Sequence, residues 1–144
     1  MAADLHVTIA AELRGQGQRY TAARRATVDI LYEAGRPLTI LEILQRRRGL
    51  AQSSVYRNLA VLERAGAVRR IVTTDEHARF ELTEDLSEHH HHLICASCGR
   101  VDDFVTNPRV ERILNRAMDE VTGATGFSPT HHRLDLVGLC ARCA

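Results

Sequence analysis

The segment SSVYRNLAVLERAGAVRRIVTTDEHARFEL, residues 53–82, indicates the fold of the first half of the chain. Its apolar residues first recur at the spacing of one helical face, which predicts a helix over residues 53–65 with Ser53 as N-cap. Two strand-like runs follow, residues 68–72 and 78–82, joined by a polar segment. A helix that leads directly into a hairpin indicates the recognition helix and wing of a winged helix-turn-helix.

The residues upstream complete this pattern. Apolar residues at helical spacing predict three helices, over residues 5–13, 21–34 and 39–48. Thr21 and Thr39 are the expected N-caps of the second and third helices. The order of helices and hairpin is that of a complete winged-helix domain.

The second half of the chain mixes strand-like and helical segments. Residues 89–95, 100–104 and 133–139 are predicted strands, and Asn107 and Pro108 are the expected N-cap and first residue of a helix. The stripe of that helix that we expect to be buried consists of Val110, Ile113, Leu114, Ala117 and Val121.

Charge is divided unevenly along the chain. Residues 1–72 contain 12 Arg and 6 Asp or Glu, whereas residues 73–144 contain 7 Arg and 12 Asp or Glu. This division indicates that the first half meets a polyanion. The chain has no apolar run of roughly 18 residues and no signal peptide, so we expect a cytoplasmic protein without a membrane partner.

Two Cys-x-x-Cys pairs, Cys95 with Cys98 and Cys140 with Cys143, are the strongest signal of chemistry. In a cytoplasmic protein such pairs are more often metal ligands than disulfides. Together they predict a closed, tetrahedral structural zinc site. The alternatives are two unrelated pairs or a redox dithiol, but a redox pair normally opens a helix, whereas Gly99 and a strand-like run follow the first pair.

Four consecutive histidines precede the first cysteine pair. If they are extended, alternation sends His89 and His91 to one face and His90 and His92 to the other. One short segment would then supply two ligands to each of two metal sites. Histidine and carboxylate ligands suit zinc, iron, nickel or manganese. The alternative is a solvated polar strand.

Four motifs resemble those of the ferric uptake regulator (Fur) family. HHHHLICASCGRVDDF (89–104) resembles its metal-binding signature, and THHRLDLVGLCARC (130–143) resembles its C-terminal strand, particularly in peroxide-sensing members. SVYRNL (54–59) resembles the family's recognition helix, and RYTAAR (19–24) resembles its N-terminal DNA-contacting segment. The resemblance covers essentially the whole chain, and the motifs fall in family order.

The resemblance implies an α+β fold, an N-terminal winged helix-turn-helix domain followed by a small α/β dimerisation domain with a four-cysteine zinc site. The expected domains are residues 1–84 and 89–144, with residues 85–88 as the hinge. The implied ligands are Cys95, Cys98, Cys140 and Cys143 for structural zinc, Glu81, His90, His92 and Asp103 for an inter-domain regulatory site, and His89, His91, Glu111 and His132 for a site in the dimerisation domain.

One ligand of the regulatory site is missing from the sequence. Iron- and peroxide-sensing members usually supply a histidine from the start of the third helix, but no histidine lies near Pro37 here. Zinc-sensing members often use a cysteine in the wing, which this chain also lacks. His77, in the predicted wing loop, is the candidate substitute.

The candidate DNA contacts lie in the two N-terminal motifs. Side chains near the start of a recognition helix reach base edges in the major groove, and arginines outside it meet phosphates or the minor groove. The alternative is an ordinary solvated face. The candidates are Arg19, Tyr20, Arg24, Ser53, Ser54, Tyr56 and Arg57.

The resemblance implies a homodimeric repressor that binds a palindromic operator in double-stranded DNA and controls genes of metal uptake or of metal and oxidative stress. Besides structural Zn²⁺ it would take a second divalent metal, Fe²⁺ or Zn²⁺, with Mn²⁺ and Ni²⁺ as further candidates. A peroxide-sensing repressor of the same family is the alternative. Outside the family, a zinc-dependent enzyme or a metal-storage module remains. The sequence lacks HExxH, a nucleophile elbow and a phosphate loop, so we predict no enzyme.

Overall fold

The computed structural model describes residues 2–73 and 75–144. The first half of the chain contains four α-helices and a three-stranded antiparallel sheet of order β1-β3-β2. In chain order the elements are α1 (Ala2–Gly15), α2 (Ala22–Ala34), β1 (Leu38–Thr39), α3 (Ile40–Arg46), α4 (Gln52–Arg64), β2 (Val68–Val72) and β3 (Ala78–Leu82). This is the order of a winged helix-turn-helix, with β2 and β3 as the wing.

Local capping explains where the helices begin. The side chain of Thr21 accepts a hydrogen bond from the backbone N–H of Arg24, and Thr39 forms a reciprocal capping box with Glu42. Both predicted caps are therefore confirmed. The predicted cap at Ser53 is wrong, because α4 begins one residue earlier, at Gln52, without a side-chain cap.

One hydrophobic core holds this half together. Its fully buried members come from all four helices and from the sheet, and include Ile9 of α1, Val28 of α2, Leu38 of β1, Ile43 of α3 and Leu62 of α4. Since α4 packs its apolar face into this core, the other faces of the helix are left to carry polar side chains into solvent.

The second half contains a second sheet and one long helix. The elements are β4 (His91–Cys95), β5 (Val101–Phe104), α5 (Pro108–Thr125) and β6 (Asp135–Gly138), and the sheet order is β5-β4-β6. The central strand β4 pairs antiparallel with β5 and parallel with β6. A short 3-10 turn, Glu84–Leu86, overlaps the beginning of the expected hinge, residues 85–88.

The apolar stripe of α5 is not buried within the chain. The predicted cap Asn107 and first residue Pro108 are both observed, but no residue of α5 is buried. The expectation of a buried stripe is therefore wrong for a single chain. Large apolar side chains are also exposed on and beside β6, and the exposed set comprises Val110, Ile113, Met118, Val121, Phe127, Leu136, Val137 and Leu139.

No described helix is both long enough and apolar enough to cross a membrane.

The wing contacts the end of the first cysteine turn, at the glycine that directly follows Cys98. The carboxylate of Asp75 accepts two hydrogen bonds from the guanidinium of Arg79, at 2.6 and 2.8 Å, and Arg79 itself is buried. This ion pair lies against Gly99, whose φ of +73° is in the left-handed region. A Cβ at Gly99 would collide with the Asp75 carboxylate and lie 2.9 Å from Nη2 of Arg79. The two halves of the chain are therefore in contact away from the histidines.

Gly99→Ala is expected to destabilise the zinc-loaded protein by at least about 1 kcal/mol more than Gly17→Ala, measured by urea unfolding at equal protein concentration. Gly17 is the matched control because its φ is +68° and nothing lies within 4 Å of its Cβ position. It therefore reports the backbone strain alone, about 1–2 kcal/mol. Equal losses of unfolding free energy in the two variants would show that the wing does not pack on this turn.

Candidate metal centres and nucleic-acid interface

The four cysteine sulfurs form one cluster. Pairing of β4 with β6 brings the two Cys-x-x-Cys turns together, with Cys95 opposite Gly138 and the sulfurs of Cys98 and Cys140 3.8 Å apart. All four sulfurs lie within 4.8 Å of one another. The backbone N–H groups of Cys98 and Cys140 point at the sulfur of Cys95, which lowers the pKa of that thiol to about 6 and favours the thiolate that binds metal. This donor set fits tetrahedral Zn²⁺.

A second cluster joins the wing to the second sheet. Glu81 lies on the wing strand β3, His92 on β4 and Asp103 on β5, and His90 directly precedes β4. Nε2 of His90 lies 3.0 Å from Oε2 of Glu81, and Nε2 of His92 lies 3.0 Å from Oε1. The four side chains offer ligand atoms within 4.8 Å of one another, and Glu81, His90 and His92 are buried. We call them the inter-domain cluster.

The protonation of the inter-domain cluster follows from its charges. Burial would raise the pKa of Glu81, but the hydrogen bonds from His90 and His92 and the charge of Arg69 outweigh it and lower the pKa to about 2. The hydrogen bond to Glu81 raises the pKa of His90 to about 9. Burial, with the nearby charge of Glu81, raises the pKa of Asp103 to about 6. The low pKa keeps Glu81 ionised, with Nε2 of His90 and Nε2 of His92 both within hydrogen-bond distance of its carboxylate.

A third cluster lies entirely in the second half. It contains His89, His91, Glu111 and His132, again with ligand atoms within 4.8 Å of one another. Nε2 of His89 and Nε2 of His132 are buried without a hydrogen-bond partner among the described residues, and each lies 3.5 Å from Oε2 of Glu111. Two unpaired ring nitrogens facing one carboxylate fit a divalent cation. We call this the dimerisation-domain cluster.

The alternation predicted for the histidine run is observed. His90 and His92 reach the inter-domain cluster, whereas His89 and His91 reach the dimerisation-domain cluster. The regular strand begins only at His91, so the first two histidines alternate in the segment just before it. The solvated-strand alternative is wrong, because His90, His91 and His92 are buried.

The predicted substitute ligand His77 is not brought to the inter-domain cluster. His77 is exposed, its backbone N–H donates to Asp75, and it belongs to none of the groups of ligand atoms found among the described residues. The turn that carries it is instead held by the Asp75–Arg79 ion pair on Gly99. The expectation for His77 is therefore corrected.

Sequence reasoning missed the side chains that support the ligands. Asp135 lies 3.3 Å from Nδ1 of His92, and Glu84 lies 3.0 Å from Nδ1 of His89. Contacts of this kind fix the tautomer and the orientation of a ligating ring. Arg69 was missed as well, and its Nε lies 2.5 Å from Oε1 of Glu81. The only sequence signal for Arg69 is its cross-strand register with Glu81, which requires the hairpin pairing to be known.

The candidate DNA contacts divide into exposed and supporting side chains. Tyr56 and Arg57 in the first turns of α4 are exposed, as are Ser53 and Arg19, whereas Ser54 is half-buried. Arg24 is held in place, because it donates to Asn58 at 3.3 Å and to the backbone carbonyl of Arg19 at 2.5 Å. The hydroxyl of Tyr20 lies 2.7 Å from Nδ1 of His6. Burial raises the pKa of the Tyr20 hydroxyl to about 12.

A winged helix-turn-helix joined to a cysteine cluster and two histidine–carboxylate clusters defines a metal-responsive DNA-binding protein. The Ferric uptake regulator family pattern matches residues 15–137. The peroxide-responsive repressor PerR of Staphylococcus saprophyticus is 30% identical over 135 residues, covering 91% of this chain and 86% of that protein. The chain belongs to the ferric uptake regulator family, and it is a metal-dependent transcriptional repressor.

Solved structures agree with this assignment. The ferric uptake regulator from Pseudomonas aeruginosa with manganese is 26% identical, with a TM-score of 0.68 over 91% of this chain and 96% of that one. The Helicobacter pylori regulator Fur, at 24% identity, shares the fold with a TM-score of 0.76 over 99% of this chain and 93% of that one. The fold class expected from the sequence is thus confirmed.

Proposed function

We propose that this repressor is switched by a divalent metal bound at the inter-domain cluster. The observation that carries the proposal is the origin of the ligands: Glu81 comes from the wing, whereas His90, His92 and Asp103 come from the other half of the chain. A metal that binds all four fixes the wing relative to the second sheet. The bound ion therefore favours one arrangement of the DNA-binding half over others, which is a population shift driven by differential affinity.

The other two clusters have different roles in this proposal. The cysteine cluster holds structural Zn²⁺ and ties the C-terminal segment to β4. The dimerisation-domain cluster links His89 and the first residue of β4, His91, to Glu111 of α5 and to His132, all within one half of the chain. Metal there would change stability and the graded strength of repression rather than the orientation of the wing.

The active form is proposed to be a homodimer on a palindromic operator. The support is the exposed apolar surface of α5 and β6, which a single chain leaves unburied. A two-fold dimer places two α4 helices at two half-sites of double-stranded DNA. The proposed division is residues 1–84 for DNA binding, 85–88 for the hinge and 89–144 for metal binding and dimerisation, in a cytoplasmic protein without enzymatic activity.

The sensed metal is proposed to be Fe²⁺ or Zn²⁺, with Mn²⁺ and Ni²⁺ as competitors, because two histidines and two carboxylates suit all four ions. Operator binding titrated with each free metal tests the choice. Purified zinc-loaded protein is mixed with a labelled operator, and the metal that activates binding at the lowest free concentration is identified. If no divalent metal changes operator affinity, the switch proposal is wrong.

Peroxide sensing is the second candidate function. The observation that favours it is the 30% identity to a peroxide-responsive repressor over most of the chain. Iron-loaded protein treated with peroxide should then lose operator binding and gain the mass of one oxygen on a histidine of the inter-domain cluster. Manganese-loaded protein is the control, and equal peroxide resistance of the two forms would exclude this function.

Arg57→Ala is expected to weaken operator binding by about 1–3 kcal/mol and to relax specificity at one base pair, because an exposed arginine at this point of α4 reaches a base edge. Arg64→Ala is the matched control, since Arg64 is exposed on the same helix but at its other end. Fluorescence anisotropy over several salt concentrations gives both affinities. Equal losses for the two variants would argue against α4 as the recognition helix.

A further inference from the structure

Arg69 is the arginine that the described residues place against the carboxylates of the inter-domain cluster. It lies on β2 directly across from Glu81 on β3. Its Nε donates to Oε1 of Glu81 at 2.5 Å, its Nη2 lies 3.4 Å from Nε2 of His90, and its Nη1 lies 3.5 Å from Oε1 of Glu84. Three quarters of the Arg69 side chain is buried, so solvent screens these contacts only in part.

These contacts use the same atoms that a metal would use. Oε1 of Glu81 already contacts Arg69 and His92, and Nε2 of His90 contacts both Glu81 and Arg69. A guanidinium carries donors only and stays protonated, so Arg69 can become neither a ligand nor a neutral neighbour. A divalent ion that binds Oε1 of Glu81 therefore competes with Arg69 for that oxygen, and at either carboxylate oxygen it lies close to a fixed positive charge.

We infer that Arg69 is a resident counter-cation that competes with the metal for Glu81 and thereby sets the metal affinity of the inter-domain cluster. The inference rests on the proposed regulatory role of that cluster. It deepens the role by naming the residue that fixes the metal concentration at which the repressor responds.

The charges around the inter-domain cluster support an exchange of Arg69 for a divalent ion at the carboxylate of Glu81. Without metal, Arg69 and His90 both contact the carboxylate of buried Glu81. When a divalent ion takes their place, Glu84 offers Arg69 a second carboxylate 3.5 Å from its Nη1, so the guanidinium does not lose all its partners. Removing Arg69 acts on both sides of the equilibrium: the metal-free state loses a partner of Glu81, and the metal-bound state loses a like-charge repulsion. Both effects tighten metal binding.

The alternative role for Arg69 predicts the opposite sign. If Arg69 only orients Glu81 for the metal, in the manner of a supporting hydrogen bond, its removal loosens the carboxylate and weakens metal binding. The direction of the change in affinity therefore separates competition from support.

The test is a Co²⁺ titration of zinc-loaded protein. A Glu111→Gln background keeps the dimerisation-domain cluster out of the measurement, and the absorption of Co²⁺ distinguishes oxygen and nitrogen ligands from thiolates. Arg69→Ala is expected to bind Co²⁺ at least about tenfold more tightly than the parent. The metal-free protein loses the ion pair between Arg69 and Glu81, and the metal-bound protein loses the repulsion between Arg69 and the ion. Arg69→Lys keeps the charge and should stay close to the parent. Arg70→Ala removes the adjacent arginine, whose guanidinium contacts Glu63 and Phe80 instead, and should change nothing.

A second readout follows from linkage. The rise in unfolding temperature on adding Co²⁺ should be larger for Arg69→Ala than for the parent, because tighter binding to the folded state adds more stability. Unchanged or weaker Co²⁺ binding by Arg69→Ala would overturn the inference. If the alanine variant does not fold, Arg69→Gln is used, with the same two outcomes. If the parent binds no Co²⁺ outside the cysteine cluster, the proposed regulatory site itself is wrong, which is a separate result.

Discussion

Replacing Cys95 by Ser is expected to remove one zinc per chain and to unfold most of the second half of the protein. Structural zinc supplies on the order of 10 kcal/mol of apparent folding free energy, which exceeds the stability margin of a small domain. The second half depends on this contribution, because α5 buries no residue within the chain and the short strands offer little core of their own. Loss of the cluster should therefore also remove the dimer.

The measurement combines zinc analysis with analytical ultracentrifugation of the purified variant. Ser97→Ala is the matched control, because Ser97 is exposed in the same turn and contributes no ligand atom to the cluster. It should keep its zinc and its oligomeric state. A Cys95→Ser protein that remains dimeric and retains one zinc per chain would refute the structural role of the cluster.

His92→Ala is expected to abolish most of the metal-dependent gain in operator affinity, while His91→Ala keeps it. The gain expected from a regulatory ligand is about 5–150-fold, which corresponds to a coupling free energy of about 1–3 kcal/mol. The two residues are adjacent and both almost fully buried, at 0% and 1% exposure, so they control for each other. They differ in their partners, since His92 contacts Glu81 of the wing and His91 contacts Glu111 of α5.

Operator binding titrated against free metal checks this pair, with circular dichroism to confirm that both variants fold. Glu81→Gln should behave like His92→Ala, and Glu111→Gln should behave like His91→Ala. The second class should instead show a changed metal stoichiometry or a lower unfolding temperature. If His91 and His92 give the same phenotype, the separation of the histidines into a switching site and a stabilising site is wrong.

The features that could be predicted from the sequence are those that depend on neighbours along the chain. Helix spacing and the caps Thr21, Thr39 and Asn107 are local, because a cap bonds to backbone N–H groups two or three residues away. The alternation of the histidines is equally local, since extended backbone sends successive side chains to opposite faces. Each Cys-x-x-Cys turn is local as well. The two turns form one cluster only because β4 pairs with β6.

Contacts between side chains that are distant in the sequence could not be predicted without the folded structure. Arg69 reaches Glu81 through the register of the wing hairpin, and Asp75 reaches Gly99 because the wing lies on the cysteine turn. His77 is only a few residues from Glu81 in sequence but points into solvent, so closeness along the chain was misleading. The apolar stripe of α5 was identified correctly as apolar, yet it is exposed within the chain. The hydrophobic effect requires such a surface to be covered, but it does not specify whether the cover comes from the same chain or from another.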